Sequence, residues 1–430
     1  MVRKYFEKIH NILKKFKRTG FVHLFGSSVI NNILAFVSSF ILVRLIPKAD
    51  YGVYANADNI LGLFCIFEGF GMASTWLQYG CTRKGKEKEN TWSFCFYFSV
   101  VFQLFLCAAI AMTGRFASFG IEGTGKILIA MSFLPLFRLI SEMQRIYLRT
   151  EMMNKQYAYV NNFSTVITVA LSISLCIFFL VKGLIVANYI SSIATIIFMI
   201  ALYKIKLPKI NNNLEKSDKK ELLKFSLVCT INNSTSSLMS LLDTFILGIV
   251  IAQSTVTASY KVASKVPTAL FLIPTSVMIY IYPYFAKNAK DKNWCIKNFK
   301  KVILWFGSFN SLMAVVLVVF APFFVRILFG EQYNDAVSPF RILCVNYAVQ
   351  ATFKMVPGQL LVSQKKLGFN TFTGVISGVL NTGLNLLLIP KYSSSGAAMA
   401  TLIVSAFVGL MNIIYISKVF RSIPDTNTEM

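Results

Sequence analysis

The feature that most constrains this chain is a series of about twelve apolar runs, each long enough to cross a lipid bilayer. A helix that crosses about 30 Å of hydrocarbon needs about 20 apolar residues. Inside lipid, every backbone polar group must find its hydrogen bond within the protein. The sequence therefore predicts an all-α integral membrane protein with about twelve transmembrane helices. These spans lie at roughly 22–46, 53–79, 92–113, 127–148, 157–181, 184–203, 225–251, 257–285, 302–325, 337–362, 370–389 and 396–418.

The composition supports this prediction. Hydrophobic residues make up 55% of the 430 residues and charged residues 14%, and the mean hydropathy is +0.61. Soluble domains have about 45–50% apolar and about 25% charged residues. The net charge of +25 does not indicate a nucleic-acid partner, because the basic residues stand in short clusters between the spans.

The distribution of Lys and Arg predicts the orientation. With the N-terminus inside, the cytoplasmic segments hold about five times as many Lys and Arg as the external connections. The positive-inside rule then places both termini in the cytoplasm. Fusion of spans five and six, which only Lys182 and Gly183 separate, would place basic connections outside and is disfavoured. The external basic residues are Lys48, Arg115, Lys126, Lys182, Arg326 and Lys391.

The longest polar connection divides the chain into two halves. We expect a cytoplasmic amphipathic basic arm at 1–21, a six-helix lobe at 22–203, a cytoplasmic linker at 204–224, a second six-helix lobe at 225–418 and a cytoplasmic tail at 419–430.

The two halves resemble each other weakly. Three short matches occur in the same order at offsets of 201, 206 and 213 residues: 30–32 with 231–233, 52–60 with 258–266, and 183–187 with 396–400. Six crossings per half predict two lobes related by a pseudo-twofold axis along the membrane normal. That architecture is typical of transporters that work by alternating access.

Charged residues inside the spans predict a binding site. A charge at mid-bilayer costs at least about 2.5–3.5 kcal/mol, so it faces protein or water. Positive charges exceed negative ones in the spans, which indicates a central cavity for an anionic ligand. Snorkelling to the membrane surface is an alternative for Arg44 and Arg341, and interhelical hydrogen bonding is the alternative for the asparagines. The candidate lining residues are Arg44, Arg138, Lys261, Lys265, Arg341, Lys354, Asn31 and Asn32.

Three carboxylates in the spans are candidates for coupling transport to an ion. Glu68, Asp58 and Asp243 carry a proton if burial disfavours their charge. Alternatively they are fixed counter-ions, for example Asp243 to Lys265. Span four carries Arg138, Glu142 and Arg145 along one face, where Glu142 pairs with either arginine. The drive is a proton, Na⁺ or the membrane potential, and no cofactor is expected.

No catalytic or metal site is predicted. The eight cysteines are scattered without the CxxC spacing of zinc or redox sites. No GxxxxGK[ST] phosphate loop and no Asp-x-Asp pair is present. The sequence therefore does not indicate an enzyme.

Four sequence segments resemble a known family in the expected order. The chain is similar to the O-antigen and capsule polysaccharide flippases of the multidrug/oligosaccharidyl-lipid/polysaccharide exporter superfamily. One departure is the string YSSSG at 392–396, where the family has a shorter connection. The segments are RLIPKADYGVYA (44–55), LLDTFILGIVI (241–251), RILFGEQYNDAVSPFRIL (326–343) and NLLLIPKYSSSGAAMATLI (385–403).

The resemblance implies a substrate and a location. It implies transfer of an undecaprenyl-pyrophosphate-linked oligosaccharide from the inner to the outer leaflet of a prokaryotic plasma membrane. The partners it implies are that lipid-linked oligosaccharide, membrane lipids and the glycan polymerase machinery. We expect the protein itself to be a monomer.

Two other functions remain as alternatives. A multidrug or cation antiporter of the same superfamily is disfavoured by the excess of positive charge in the spans. An integral-membrane glycan-polymerising enzyme is disfavoured by the short external loops.

Overall fold

A computed structural model describes residues 21–205, 207–209 and 214–424, except for the side chains of 21–25, 232–237, 239, 240 and 367. The predicted basic arm, apart from Phe21, and residues 425–430 of the tail lie outside the described residues. The described part is helical and contains no strand. Its α-helices are α1 (Phe21–Leu45), α2 (Lys48–Cys65), α3 (Met72–Thr82), α4 (Gly85–Phe116), α5 (Thr124–Met131), α6 (Leu134–Thr150), α7 (Asn154–Tyr203), α8 (Lys216–Val250), α9 (Ser254–Leu270), α10 (Leu272–Lys287), α11 (Lys292–Val319), α12 (Ala321–Phe329), α13 (Val337–Val349), α14 (Val356–Ser363) and α15 (Leu367–Arg421).

The helices agree with the predicted number of membrane crossings. Eight helical segments of the described chain are long and apolar enough to span a bilayer. Two of them, α7 and α15, contain 50 and 55 residues and are each broken near the middle, so each provides two crossings. Together with α8 and the segment from α13 to α14, the described residues form about twelve crossings. The prediction of an all-α membrane protein is confirmed.

The breaks in α7 and α15 have the same geometry. Leu180 has φ 49° and ψ −129°, and Ser393 has φ 52° and ψ −132°. Three residues after each break stands a glycine. A Cβ on Gly183 would lie 2.1 Å from a backbone oxygen of the preceding segment, and a Cβ on Gly396 would lie 2.3 Å from the corresponding one. The two glycines belong to the match at an offset of 213 residues, so this part of the internal repeat is structural. Spans five and six are separate helices, as predicted.

Span two is interrupted, although one continuous crossing was expected over 53–79. A short 3-10 turn at Glu68–Gly71 joins α2 to α3. Three consecutive residues, Gly69, Phe70 and Gly71, have positive φ angles of 55°, 50° and 69°. A Cβ on Gly71 would lie 2.5 Å from the backbone oxygen of Ser226, so the turn depends on a residue without a side chain.

The chain divides into two compact units. Unit 1 comprises Met1–Pro47, Leu61–Ala117 and Gly125–Ser234. Unit 2 comprises Lys48–Ile60, Ser118–Thr124 and Thr235–Met430. The first part of α2 therefore belongs to unit 2, and the predicted linker belongs to unit 1. The lobe boundaries given by the sequence remain a prediction.

Each unit has an aromatic core. In unit 1, the rings of Trp76 and Trp92 lie 5.0 Å apart and both contact Tyr147. In unit 2, Phe420 contacts Phe285 and Phe299. These rings hold neighbouring helices together, because buried aromatic side chains contribute large contact areas and prefer edge-to-face or tilted pairs.

The described part of the predicted linker packs on unit 1. The hydroxyls of Ser93 and Tyr97 donate hydrogen bonds to the backbone oxygens of Lys209 (2.8 Å) and Pro208 (2.7 Å). Arg83 lies 3.5 Å from Asp218 at the start of α8. The linker is therefore held along the predicted cytoplasmic ends of α3 and α4.

Candidate functional site

The best-defined polar site in unit 2 surrounds Asp243 of α8. This carboxylate is almost completely buried. It accepts hydrogen bonds from the Tyr260 hydroxyl (2.9 Å), from the Asn385 amide (2.7 Å) and from the Thr401 hydroxyl. Asn385 in turn donates to Asn381 at 2.9 Å. We call these five residues, Asp243, Tyr260, Asn381, Asn385 and Thr401, the Asp243 cluster.

The Asp243 cluster differs from an ion pair. All of the hydrogen-bond donors around the carboxylate are neutral, so they stabilise its charge without cancelling it. The pairing of Asp243 with Lys265 that the sequence suggested is not among the contacts of the described residues. The oxygen Oδ1 of Asn385 is also buried without a hydrogen-bond partner. A buried anion with spare amide and hydroxyl oxygens beside it is a chemically suitable place for a proton or a small cation.

A second site in unit 2 contains the two predicted lysines of α9. The ammonium group of Lys261 donates to the Asn59 side-chain oxygen at 3.2 Å, and Asn59 donates to the backbone oxygen of Leu241 at 2.9 Å. The ammonium group of Lys265 lies 5.8 Å from the centre of the Tyr51 ring. The structure therefore brings both lysines against the first part of α2.

Acidic neighbours lie near both lysines without pairing directly with them. Asp58 is the shared acidic neighbour of Lys261 and Lys265, and Asp243 acts on Lys261 as well. Among the described residues neither lysine forms an ion pair closer than 4.0 Å. Two half-buried ammonium groups therefore share Asp58 without a direct ion pair, and with Asp243 the formal charges of the four groups balance. We call Asp58, Lys261 and Lys265 the lysine site.

A third group of contacts in unit 2 closes the predicted external end of α2. Lys48 forms an ion pair with Asp335 at 2.6 Å and donates to the backbone oxygen of Gln332 at 2.9 Å. Asp335 also accepts from Ser259 of α9 at 2.7 Å. Burial raises the pKa of the Tyr333 phenol, so this ring stays neutral 5.4 Å from the Lys48 ammonium group. We call this set the external latch.

Loss of the latch ion pair should loosen the external end. Lys48 is 16% and Asp335 is 51% exposed, so the pair contributes about 1 kcal/mol. We expect Asp335→Ala to raise the labelling of a buried Ala57→Cys probe by an impermeant maleimide about five-fold. The exchange Lys48→Asp with Asp335→Lys should recover part of the protection. Glu331→Ala, in the same short helix, is the control, and equal labelling in all variants contradicts the latch.

The other two predicted cations of unit 2 lie elsewhere. Arg341 is exposed and donates to the backbone oxygen of Val318 at 3.2 Å. Lys354 is half-buried in a π-helical turn at Gln350–Met355. The turn precedes Pro357, and its wider geometry accommodates the backbone hydrogen bond that proline lacks. Asn412 donates to the Lys354 backbone oxygen at 3.2 Å and fixes the turn.

Unit 1 holds the remaining predicted residues that bear charge. Glu68, at the break in span two, has Arg138, Glu142 and Arg145 as its charged neighbours. The predicted pairing of Glu142 is confirmed with Arg145, at 2.8 Å. Arg138 is exposed and lies 3.5 Å from the Asn188 side-chain oxygen.

Other predicted residues of unit 1 lie on α1. Arg44 and Asn32 are exposed, and Asn31 is half-buried with its amide 3.5 Å from the Ser27 hydroxyl. Asn31, Ser27, Asn162 and Ala158 form a polar contact between α1 and α7. A cavity of about 230 Å³ opens beside it. The bonds between the two helices are made by Ser27, and Asn31 contacts Ser27 within its own helix.

Several site residues were not predicted. Tyr260, Thr401, Asn59 and Asp335 make the contacts described above, yet nothing in their local sequence distinguishes them. Asn385 is one of several asparagines within the predicted spans. All five are identified as site residues only by their contacts with residues that are far away in sequence.

The broken helices and the buried charges of each unit define a class, the polytopic helical transporters. The solved structure of the lipid II flippase MurJ, in an inward closed conformation, has a TM-score of 0.72 to this chain at 13% identity. The aligned part covers 93% of this chain and 89% of the MurJ chain. An inward-facing multidrug resistance MATE transporter has a TM-score of 0.68 at 14% identity, covering 94% and 99%. At such identities the similarity shows the fold alone.

The family follows from the sequence comparison. The model of the family described as "Polysaccharide biosynthesis protein" matches residues 41–338, more than half of the chain, and the chain belongs to this family. The predicted membership of the polysaccharide flippase group is thereby confirmed.

Two curated relatives are similar over part of their length. The probable low-salt glycan biosynthesis flippase Agl15 of Haloferax volcanii is 28% identical over 224 residues, which are 49% of this chain and 46% of the relative. The lipopolysaccharide biosynthesis protein WzxC of Escherichia coli is 28% identical over 174 residues, 37% and 34% of the two chains. The match thus spans less than half of either relative. The activities named among these proteins are those of flippases and transporters and not of enzymes, in agreement with the sequence prediction.

Proposed function

We propose that this protein is a flippase that moves an undecaprenyl-pyrophosphate-linked oligosaccharide from the inner to the outer leaflet by alternating access. The observation that carries the proposal is the lysine site. Lys261 and Lys265 stand one turn apart on α9 and share Asp58 as an acidic neighbour. Among the described residues neither ammonium group has a carboxylate within 4.0 Å, so both can contact a pyrophosphate directly.

Lysine suits a ligand that must be released. Its ammonium group acts as a point charge, whereas arginine holds phosphate through two parallel hydrogen bonds. The Asn59 amide that Lys261 contacts is a neutral partner, which the phosphate oxygens displace without separating an ion pair. The predicted cations Arg44, Arg138, Arg341 and Lys354, with Asn31 and Asn32, extend the proposed cationic cavity.

The charge sign separates the proposal from the antiporter alternative. A carrier of organic cations needs an acidic binding site. Asp243 is the buried acid of unit 2, yet its carboxylate already accepts hydrogen bonds from neutral side chains, which an organic cation would have to displace. We therefore assign Asp243 to coupling and not to substrate binding.

A double substitution in the lysine site tests the function. The double variant Lys261→Ala with Lys265→Ala loses two charge-assisted contacts, each worth about 1.5–3 kcal/mol. We therefore expect its affinity for undecaprenyl pyrophosphate to fall about 100-fold or more. The same variant should fail to restore surface glycan in a deletion strain. Affinity is measured on purified protein, and membrane levels are compared by immunoblot.

Controls make this test specific. The control Lys290→Ala removes an exposed lysine of the predicted cytoplasmic connection and should bind normally. The arginine pair, Lys261→Arg with Lys265→Arg, should retain binding but release the substrate more slowly. Normal affinity in the double alanine variant contradicts the proposal. So does a deletion strain that fails to accumulate lipid-linked oligosaccharide on the cytoplasmic face.

The proposal includes a location and partners. We place the protein in a prokaryotic plasma membrane with both termini cytoplasmic, as the distribution of Lys and Arg indicates. It acts as a monomer on an O-antigen-like or capsule-like repeat unit, and hands its product to the glycan polymerase machinery. The names of the relatives Agl15 and WzxC support a role in glycan assembly.

A further inference from the structure

The inner half of α10 exposes two tyrosines that no step above uses. Tyr280 is 68% and Tyr284 is 48% exposed. Their rings lie 5.3 Å apart, inclined by 54°, and the Tyr284 hydroxyl donates to the Tyr280 hydroxyl at 3.0 Å. One hydroxyl hydrogen lies between the two oxygens. The other remains available to donate to a group outside the pair.

The tyrosines lie on the helix that directly follows the one with the lysine site. Phe271, which joins α9 to α10, keeps right-handed helical angles, so the register carries through approximately. Side chains three or four residues apart share one face of a helix. The face with Lys261 and Lys265 is covered at its predicted external end by Asn59 and Tyr51 of α2. At about 100° per residue, Tyr280 is rotated by about 60° and Tyr284 by about 100° from Lys265, so the tyrosines lie beside this face.

The exposed side of α10 has two different edges. The opposite side packs into the core of unit 2 through Met278 and Phe285. One exposed edge carries Ile279, which is 65% exposed and suits hydrocarbon. The other carries Tyr280 and Tyr284, whose free hydroxyl needs a hydrogen-bonding partner that acyl chains do not provide. The hydroxyl edge is therefore suited to a wet, polar ligand.

We propose that Tyr280 and Tyr284 form a sugar-binding platform for the glycan of the lipid-linked substrate. This inference rests on the proposed function and names a second contact for the same ligand. The C–H face of a pyranose ring packs on the negative face of an aromatic ring, and the free tyrosine hydroxyl hydrogen-bonds to a sugar hydroxyl. Tyr280 follows Lys265 by 15 residues, about 22 Å along a helix. An oligosaccharide, but not a pyrophosphate alone, bridges that distance.

The test compares ligands with and without the glycan. The probes are bare undecaprenyl pyrophosphate and the lipid-linked oligosaccharide extracted from the producing cell after deletion of this gene. We expect Tyr280→Ala with Tyr284→Ala to lower the affinity for the glycosylated lipid about ten-fold or more, because two aromatic contacts are lost. Affinity for the bare lipid should stay within about two-fold. Tyr280→Phe with Tyr284→Phe keeps both rings and should lose less than the alanine pair.

The controls separate the platform from a membrane anchor and from the proposed function itself. Ile279→Ala, on the apolar edge, should bind both lipids normally. Equal affinity of the wild type for the two lipids, or equal losses for both lipids in the alanine pair, overturns the platform. The second result is what interfacial aromatic anchors would give. Failure of the wild type to bind either lipid overturns the proposed function instead.

Discussion

Replacement of Asp243 by Asn should abolish gradient-driven transport while the protein still folds. The substitution keeps the shape of the side chain but removes the one charge of the Asp243 cluster. A neutral amide does not attract a proton or a Na⁺ ion as a carboxylate does. We expect transport of the lipid-linked oligosaccharide in proteoliposomes to fall about 100-fold, the loss of roughly 3 kcal/mol of coupling free energy.

The coupling ion is identified in the same experiment. Wild-type protein should respond to an imposed gradient of either Na⁺ or protons, and the Asp243→Asn variant should respond to neither. Tyr260→Phe is the matched control. It removes one hydrogen bond worth about 0.5–1.5 kcal/mol but keeps the carboxylate, so transport should fall less than about ten-fold. Wild-type gradient dependence in Asp243→Asn would contradict the assignment of this residue to coupling.

The crossings and the charges inside them could be predicted because both are local properties of the sequence. The break between spans five and six was also visible, since Gly183 and Gly396 stand in matching segments. Each glycine admits a backbone oxygen at a distance that no Cβ tolerates. Local spacing likewise predicted the pair of Glu142 with Arg145.

The partners of the buried groups could not be predicted, because they are set by long-range packing. Asp243 lies 142 residues from Asn385 and 158 from Thr401 along the chain. A carboxylate beside lysines in the same half of the chain made an ion pair the simpler expectation, yet the structure gives it neutral donors. The break at Glu68–Gly71 was missed for a related reason. Gly71 faces the backbone of Ser226 in α8 and Gly69 faces Leu139 in α6, and neither neighbour is visible in the adjacent sequence.

Replacement of Gly52 by Ala should open the predicted external end of the protein. A Cβ on Gly52 would lie 1.9 Å from the backbone oxygen of Ser254, at the start of α9. Because the obstacle is backbone, no side-chain rotation relieves the clash. The first part of α2 must move away from α9, and the hydrogen bond from Lys261 to Asn59 is then lost. This close approach gives a physical reason for the glycine in the segment 44–55.

The displacement of α2 is measured with the Ala57→Cys probe, in a chain whose eight native cysteines are replaced. Overpacking costs about 1–3 kcal/mol, so we expect labelling by an impermeant maleimide to rise about ten-fold or more. Transport should be lost, because a carrier that cannot close its external end cannot complete a cycle. Gly383→Ala is the control, since a Cβ there meets no atom within 4 Å. If Gly52→Ala were protected and active like the wild type, the close contact between α2 and α9 would have no role in the transport cycle.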